Sequence, residues 1–103
     1  MDYKIESTPS ADQDLDSIIF YLIKEIGSTN AASDFLDEVD ACYARLVKMP
    51  FMYEMCRDRR LKASGYRRAR ISSYIMIYRV DEKEHTVYIL RFFYSRRDYE
   101  NLL

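Results

Sequence analysis

Arginine is the residue type in this sequence best suited to bind or transform another molecule, and it is concentrated in the second half of the chain. Two clusters accompany the most apolar stretch, and they consist of Arg67, Arg68 and Arg70 upstream and of Arg91, Arg96 and Arg97 downstream. Guanidinium groups stay charged at cellular pH and bind phosphate or carboxylate groups through paired hydrogen bonds. If the clusters converge, they form a basic surface for a polyanion or an acidic partner. The alternative is that the arginines are solvated or paired with acidic side chains of the same chain.

Tyrosine is the second residue type that could contribute to such a surface. The chain contains 10 tyrosines, of which Tyr94 and Tyr99 are interleaved with the second arginine cluster. Aromatic rings beside arginines can stack on bases while the arginines neutralise phosphates. The other tyrosines are expected in the core or the sheet, with their hydroxyl groups reaching the surface. These patterns predict a target-binding surface that consists of Arg67, Arg68, Arg70, Arg91, Tyr94, Arg96, Arg97 and Tyr99.

Other catalytic constellations find little support in the sequence. His85 is the single histidine and lies in a predicted polar turn, so no serine or cysteine has a histidine base beside it. Cys42 and Cys56 are not spaced as metal ligands, so we expect two reduced thiols and no metal or other cofactor. Any reaction would therefore rest on arginine and tyrosine, which favours phosphodiester chemistry. Arginine can stabilise the charge of a transition state but is a poor general base.

Charge is distributed unevenly along the 103 residues. Residues 1–50 carry 4 Lys/Arg and 10 Asp/Glu, whereas residues 51–103 carry 12 and 7, which leaves a net charge of −1. This asymmetry favours polyanion binding through the basic half, unless each half simply solvates its own surface. Length and composition predict a single globular domain over residues 1–103. Because neither a leader nor a stretch of about 20 apolar residues is recognisable, we expect a cytoplasmic protein with no membrane partner.

The hydrophobic pattern of the first half predicts two helices. Apolar residues recur at helical spacing from about Pro9 to Ile26 and from about Asn30 to Lys48. Thr8 is a natural N-cap for the first helix, and Gly27 is a natural C-cap. The short link implies an antiparallel hairpin whose two apolar stripes face one core.

Short strands precede and follow this hairpin. They are predicted at Tyr3–Ser7, Arg68–Ile71, Tyr74–Val80 and Thr86–Phe93. The last two are apolar at almost every position, which is typical of strands covered on both faces. Residues 51–65 are interpreted as a loop with partial structure, and the tail 96–103 as a short helix docked on the sheet edge. This order predicts an α+β fold with the N-terminal strand and helical hairpin packed on a mainly antiparallel sheet.

The most recognisable motifs lie in residues 66–103. They are YRRARISSY, which leads into IMIYRVDEKEHTVYILR, and the ending YSRRDYENLL. Together with the preceding strand and two helices, which match in length and order, they resemble the RelE/ParE superfamily of toxins from type II toxin–antitoxin modules. The resemblance covers the whole chain, and the ending is its most specific part. It implies a small α+β toxin that is encoded beside an antitoxin, which wraps around and neutralises it.

Two kinds of target are known in this superfamily. RelE-like members cut mRNA on the ribosome, and ParE-like members poison DNA gyrase. If the protein is a nuclease, the resemblance implies that Arg68 and Arg70 grip RNA and that Arg97, together with Arg96, assists cleavage. However, Ile75 stands where RelE-like nucleases have an arginine, so part of the nuclease equipment is missing.

The ParE-like branch is favoured by the long helical hairpin and by the ending RRDYENLL, although Tyr94-Ser95 replaces the His-Gly of many members. We therefore expect a toxin that inhibits DNA gyrase through the basic sheet face and tail, with gyrase and a cognate antitoxin as partners. The alternatives are a ribosome-dependent mRNA endonuclease and a binding domain without toxicity. The antitoxin is expected to lay an amphipathic segment along the helical hairpin or the sheet edge, with its acidic side chains opposite the arginines.

Overall fold

The α+β architecture expected from the sequence is present in the computed structural model, which describes residues 2–97 and 99–103. Its elements are β1 (Lys4–Ser7), α1 (Pro9–Phe20), a π-helical turn (Tyr21–Glu25), α2 (Thr29–Lys48), α3 (Arg59–Ala63), β2 (Arg67–Ile71), β3 (Tyr74–Asp81), β4 (Thr86–Tyr94) and a 3-10 turn (Tyr99–Asn101). The helical hairpin packs on a four-stranded sheet, which confirms the predicted fold class. In the two described ranges, no helix is both long and apolar enough to cross a membrane.

The first helix begins as predicted but ends differently. The hydroxyl of Thr8 accepts a hydrogen bond from the amide of Ala11 at 3.1 Å, which caps the N-terminus of α1. The prediction of a regular helix up to Ile26 is wrong, because the amide of Ile26 bonds to the carbonyl of Tyr21 at 3.1 Å and widens the last turn to a π-helix. In this segment Ile23 and Ile26 are exposed rather than facing the core.

The second helix follows its predicted pattern closely. The hydroxyl of Ser28 accepts a hydrogen bond from the amide of Ala31 at 3.0 Å. Gly27 precedes it with a φ of +77°, a left-handed conformation that favours glycine. The buried stripe of α2 consists of Ala32, Phe35, Val39, Cys42 and Leu46. The antiparallel hairpin therefore forms, with α2 as its better buried arm.

The loop expected at residues 51–65 contains one further helix. The side chain of Asp58 accepts a hydrogen bond from the amide of Leu61 at 3.1 Å and caps α3. Sequence periodicity could not reveal α3, because its five residues span little more than one turn. Leu61 is buried, so α3 contributes to a core despite its charged neighbours.

The strand order of the sheet is β1-β4-β3-β2. β1 runs parallel to β4, and the other two pairings are antiparallel, which confirms the mainly antiparallel prediction. β1 ends at Ser7 opposite Ile89, whereas β4 continues to Tyr94. The last part of β4 therefore lacks a strand partner on its β1 side, and this edge is where α1 contacts it.

Both faces of the sheet are covered, as the continuous apolar pattern of β3 and β4 predicted. The larger core lies between the sheet and the helical hairpin, and its buried residues include Phe35, Leu46, Met76, Tyr78 and Ile89. A smaller cluster on the other face consists of Cys56, Leu61, Ile75, Ile77, Phe93 and Tyr99. Because α3 and the tail supply part of this second cluster, they cover the face that the hairpin leaves open.

The tail docks on this second face rather than on the sheet edge. The ring of Tyr99 stacks on that of Phe93, with 5.9 Å between centroids and 18° between planes. Arg60 of α3 donates hydrogen bonds to the carbonyls of Glu100 at 2.6 Å and Leu103 at 2.8 Å. The expected tail helix is reduced to the single 3-10 turn, and part of the tail remains exposed.

Candidate functional site

Arg67 is engaged by the loop that precedes α3. Its guanidinium donates a hydrogen bond to the carbonyl of Tyr53 at 2.7 Å and stands 5.1 Å from the centroid of the Phe51 ring. Both contacts involve the Arg67 guanidinium, which was predicted to bind the target. Arg67 thus holds the backbone of the loop before α3 in place, and its role in target binding stays a prediction.

Arg68 is engaged by the tail. It donates a hydrogen bond to the hydroxyl of Tyr99 at 3.0 Å, and its Nε lies 3.6 Å from a carboxylate oxygen of Glu54. Burial raises the pKa of Tyr99, and the nearby positive charge of Arg68 opposes that rise. The predicted catalytic Arg68 and the predicted target-binding Tyr99 therefore contact each other, with Tyr99 buried.

Arg70 lies at the exposed end of β2. Its Nε donates a hydrogen bond to the carbonyl of Ser72 at 3.2 Å, which supports the turn into β3. Ser72 has a φ of +56°, so this turn includes a non-glycine residue in the left-handed region. Much of the Arg70 side chain remains accessible to a partner.

Arg91 forms an ion pair with α1. Its Nε donates a hydrogen bond to Oδ2 of Asp14 at 2.7 Å, and its Nη2 donates one to Oδ1 of the same carboxylate at 3.2 Å. The same carboxylate accepts a hydrogen bond from the backbone amide of Phe92 at 2.9 Å. Asp14 thus takes the place of a strand partner along the open edge of β4, and it raises the pKa of Arg91. For Arg91, the structure therefore agrees with the alternative that an arginine of the clusters pairs with an acidic side chain of the same chain.

Tyr94, Arg96 and Arg97 remain exposed at the end of β4. Tyr94 and Arg97 line a pocket of about 430 Å³ between α1 and the ends of β3 and β4. We call this cavity the aromatic pocket. Its other walls include Tyr21 from the helical side and Tyr74 from β3. Of the eight predicted target-binding residues, the pocket brings together Tyr94 and Arg97.

Sequence reasoning missed the residues that complete the aromatic pocket. Ser17 and Tyr21 belong to the α1 side, and Tyr74 begins β3. The one available signal was the spacing of Asp14, Ser17, Ile18 and Tyr21, which places them on one side of a helix. Nothing in the sequence indicates that this side of α1 borders the end of β4, because that contact depends on where β1 stops.

The chemistry of the aromatic pocket favours binding over bond cleavage. Its carboxylate, Asp14, is already shared by Arg91 and the amide of Phe92. Burial, followed by the nearby hydroxyls of Tyr21 and Tyr94, raises the pKa of Tyr74, so this phenol stays protonated at neutral pH. A protonated phenol donates hydrogen bonds but is a weak general base.

The position that bears an arginine in RelE-like nucleases is part of a packed core here. Ile75 is 2% exposed and belongs to the cluster with Leu61, Phe93 and Tyr99. The hydrogen bonds from Arg60 to the backbone of the tail hold the tail against this cluster. The sheet face on which a cleft would be needed is thus filled with apolar side chains.

A second exposed surface lies at the tip of the helical hairpin. Its large apolar side chains are Phe20, Tyr21, Ile23, Ile26 and Leu36, with Phe20 62% and Ile26 55% exposed. A groove of about 540 Å³ runs between α1 and α2 here, and Asp16 and Lys24 add charge to its rim. We call this surface the hairpin patch. Contiguous apolar patches of this kind mark protein interaction sites.

Comparison with known proteins agrees with this architecture. Residues 5–99 match the family model described as ParE toxin of type II toxin–antitoxin system, parDE. No curated protein sequence matches the chain significantly.

Solved structures show the same fold. A chain of the RelBE2 toxin–antitoxin complex from Mycobacterium tuberculosis is 22% identical with a TM-score of 0.62, and the match covers 91% of this chain and 99% of that one. A chain of the chromosomal ParDE system from P. aeruginosa is 18% identical with a TM-score of 0.67, covering 87% and 92%. A chain of the archaeal RelE–RelB complex from Pyrococcus horikoshii OT3 is 19% identical with a TM-score of 0.56, covering 94% and 99%. Because the family model spans all but the ends of the chain, this protein belongs to the ParE toxin family of type II toxin–antitoxin systems.

Proposed function

We propose that this toxin acts by binding and inhibiting DNA gyrase rather than by cutting mRNA. The observation that carries the proposal is the burial of Ile75 at 2% exposure, where a RelE-like nuclease would present an arginine. A guanidinium that stabilises a phosphorane must reach the scissile phosphate, and an isoleucine packed under α3 and the tail cannot do so. The proposal keeps the cytoplasmic location expected from the sequence, because gyrase acts there.

The state of the other predicted catalytic residues supports the same view. Tyr99 stacks on Phe93 in the second cluster, and Arg68 donates a hydrogen bond to the hydroxyl of Tyr99, so the Arg68 guanidinium is already engaged. Arg70 and Arg97 are accessible, but two arginines provide charge without a general base. A toxin with this equipment can hold a macromolecule more readily than it can cleave one.

The proposed partner that neutralises the toxin is an antitoxin with an amphipathic segment seated on the hairpin patch. The three solved structures described above are two toxin–antitoxin complexes and one ParDE toxin–antitoxin system. The hairpin patch offers exposed apolar side chains at the end of α1, along the π-helical turn and on α2, which suits the apolar face of a partner helix. Acidic residues of the same partner would meet Lys24 at the rim of the groove.

The proposed target is tested by two assays run in parallel on the purified wild-type toxin. We expect it to block the supercoiling of relaxed plasmid by purified DNA gyrase and to leave mRNA intact in a ribosome-containing extract. Addition of the antitoxin encoded by the neighbouring gene should restore supercoiling, which controls for contaminants. Cleaved mRNA with normal supercoiling would establish the endonuclease alternative. Toxin that affects neither reaction and does not harm cells when expressed alone would support the non-toxic binding domain.

Replacing Phe20 by aspartate tests the antitoxin surface. Phe20 is mostly exposed, so the substitution should change the free energy of unfolding by less than about 0.5 kcal/mol. Loss of a large aromatic anchor from an interface commonly costs about 2 kcal/mol or more, so the affinity for the antitoxin should fall at least about tenfold. Calorimetric titration measures this change. Met52→Asp is the matched control, because Met52 is also exposed but lies outside the hairpin patch. Equal antitoxin affinities of the two variants would show that the antitoxin binds outside the hairpin patch.

A further inference from the structure

We infer that the aromatic pocket is the anchor point of the target protein, which inserts a large apolar side chain between Tyr21, Tyr74 and Tyr94 and pairs an adjacent acidic residue with Arg97. This inference rests on the proposed function, since it presumes that the target is a protein. It differs from the surface predicted from the sequence, which was a convergence of six arginines together with Tyr94 and Tyr99. The pocket instead joins one arginine to residues of α1 that lie far away in sequence.

The pocket has the size and rigidity of a binding site. Its volume of about 430 Å³ falls in the range of roughly 300–1,000 Å³ that is typical of sites enclosing a ligand. Tyr74 is held in place from behind by Phe35, with 5.2 Å between ring centroids, and from the side by Tyr94 at 5.8 Å. Edge-to-face contacts of this kind fix ring orientation before a partner arrives. An anchor side chain would therefore enter a cavity that is already shaped.

The polar groups around the pocket are available for a partner. Within residues 2–97 and 99–103, no hydrogen bond engages the hydroxyls of Ser17, Tyr21, Tyr74 and Tyr94 or the guanidinium of Arg97. Four hydroxyl groups can each donate or accept, so they suit the mixed backbone groups of a polypeptide. The free guanidinium at the rim calls for a carboxylate, which it can bind through two hydrogen bonds.

A protein suits this site better than a nucleic acid. Binding a phosphate backbone relies on several cations that neutralise successive phosphates. Here Arg91 and Asp14 neutralise each other, which leaves Arg97 as the one unpaired cation among the described residues that line the pocket. Tyrosine and arginine are enriched in the energetic hot spots between proteins, where complex formation excludes water from them. Charge and composition thus favour an apolar anchor followed by a single acidic residue.

The regular part of the first helix ends beside this pocket. Tyr21 is the first residue of the π-helical turn, and its carbonyl accepts the widened hydrogen bond from Ile26 at 3.1 Å. π-Helical turns are rare and occur frequently at functional sites. The widened turn ends the regular helix where Tyr21 forms the outer wall of the pocket.

The test compares inhibition of gyrase supercoiling by Tyr94→Ala, Arg97→Glu and Arg97→Lys with inhibition by the wild type. We expect the half-inhibitory concentration to rise at least about tenfold for Tyr94→Ala and Arg97→Glu, and by less for Arg97→Lys, which keeps the charge. Matched controls are Tyr88→Ala and Arg59→Glu, because both side chains lie outside the pocket and should inhibit like the wild type. Antitoxin binding and the thermal melting temperature are measured for every variant to verify that each variant is folded.

The outcomes separate the pocket from the proposed function. If the wild type inhibits gyrase and the folded pocket variants inhibit equally well, the inference is overturned while the proposed function stands. If the wild type leaves supercoiling unchanged, the proposed function itself is wrong and the inference falls with it. A fluorescently labelled single-stranded DNA oligonucleotide provides the third arm. Tight binding of the oligonucleotide that Tyr94→Ala and Arg97→Glu abolish, while both variants still inhibit gyrase like the wild type, would assign the pocket to nucleic acid instead.

Discussion

Replacing Ile75 by arginine, which restores the residue type expected of a RelE-like nuclease, is expected to destabilise the fold severely rather than to create a nuclease. Ile75 pairs with Arg70 on β2 and Phe93 on β4 and lies in the second core. An unpaired guanidinium there would lose its hydration, which costs several kcal/mol, and the packing of the isoleucine would also be lost. We expect the free energy of unfolding to fall by at least about 4 kcal/mol. A domain of this size has roughly 5–15 kcal/mol in total, so a loss of this size would remove a large part of the free energy that keeps the protein folded.

Urea unfolding followed by circular dichroism measures this effect. Ile75→Val is the conservative comparison and should cost about 0.5–1.5 kcal/mol, because it removes one buried methyl group. Met52→Arg places the same charge on an exposed position and should change the free energy of unfolding by less than about 0.5 kcal/mol. A stable Ile75→Arg variant that cleaves mRNA on the ribosome would contradict the prediction. It would mean that α3 and the tail leave the sheet easily and that the second face is a working cleft.

The parts of the fold that the sequence predicted are those specified by local patterns. Thr8 and Ser28 cap their helices with their own side chains, and the strands β3 and β4 are apolar without interruption by glycine or proline. Each of these signals is contained in a few neighbouring residues. The α+β class and the antiparallel hairpin follow from their order, so they could be predicted without knowledge of tertiary contacts.

The parts that were missed depend on contacts between distant residues. The π-helical turn at Tyr21 and the docking of Tyr99 on a sheet face are set by what each segment packs against. β4 also carries an irregularity in its pairing with β3, since Ile77 opposes Arg91 whereas Tyr78 opposes Ile89. Such a shift changes the position of every later residue in the strand relative to its neighbours. The location of the aromatic pocket at the end of β4 could therefore not be obtained from periodicity.

For the candidate site, Arg91 shows most clearly what could not be predicted from the sequence. In the sequence it is one more arginine of a basic cluster, and Asp14 is one of several acidic residues near the start of a helix, where the helix dipole alone would favour them. The structure joins the two across 77 positions of sequence. Their pairing depends on the early end of β1, which exposes the edge of β4 to α1. Charge patterns within one segment do not contain that information.

Replacing Asp14 by alanine is expected to be the most damaging change at a charged residue. The carboxylate is 17% exposed and accepts three hydrogen bonds, two from Arg91 and one from the amide of Phe92. Hydrogen bonds to a charged group contribute about 1.5–3 kcal/mol, and an unpartnered buried amide costs about 1–3 kcal/mol. Because Arg91 is one-third exposed, solvent screens part of the ion pair, so we expect a total loss of about 2–3 kcal/mol.

The variants around this carboxylate separate its contributions. Asp14→Asn keeps an acceptor for the amide of Phe92 and should lose about half as much stability as Asp14→Ala. Asp16→Ala, two residues further along α1 and exposed, should lose less than about 0.5 kcal/mol. A double-mutant cycle with Arg91→Ala in urea unfolding gives the coupling energy of the pair. If Asp14→Ala costs no more than Asp16→Ala, the carboxylate does not join α1 to β4. If the predicted loss is found, a folded Asp14→Asn toxin should also inhibit gyrase less well, because the same carboxylate positions the helix wall of the aromatic pocket against the end of β4.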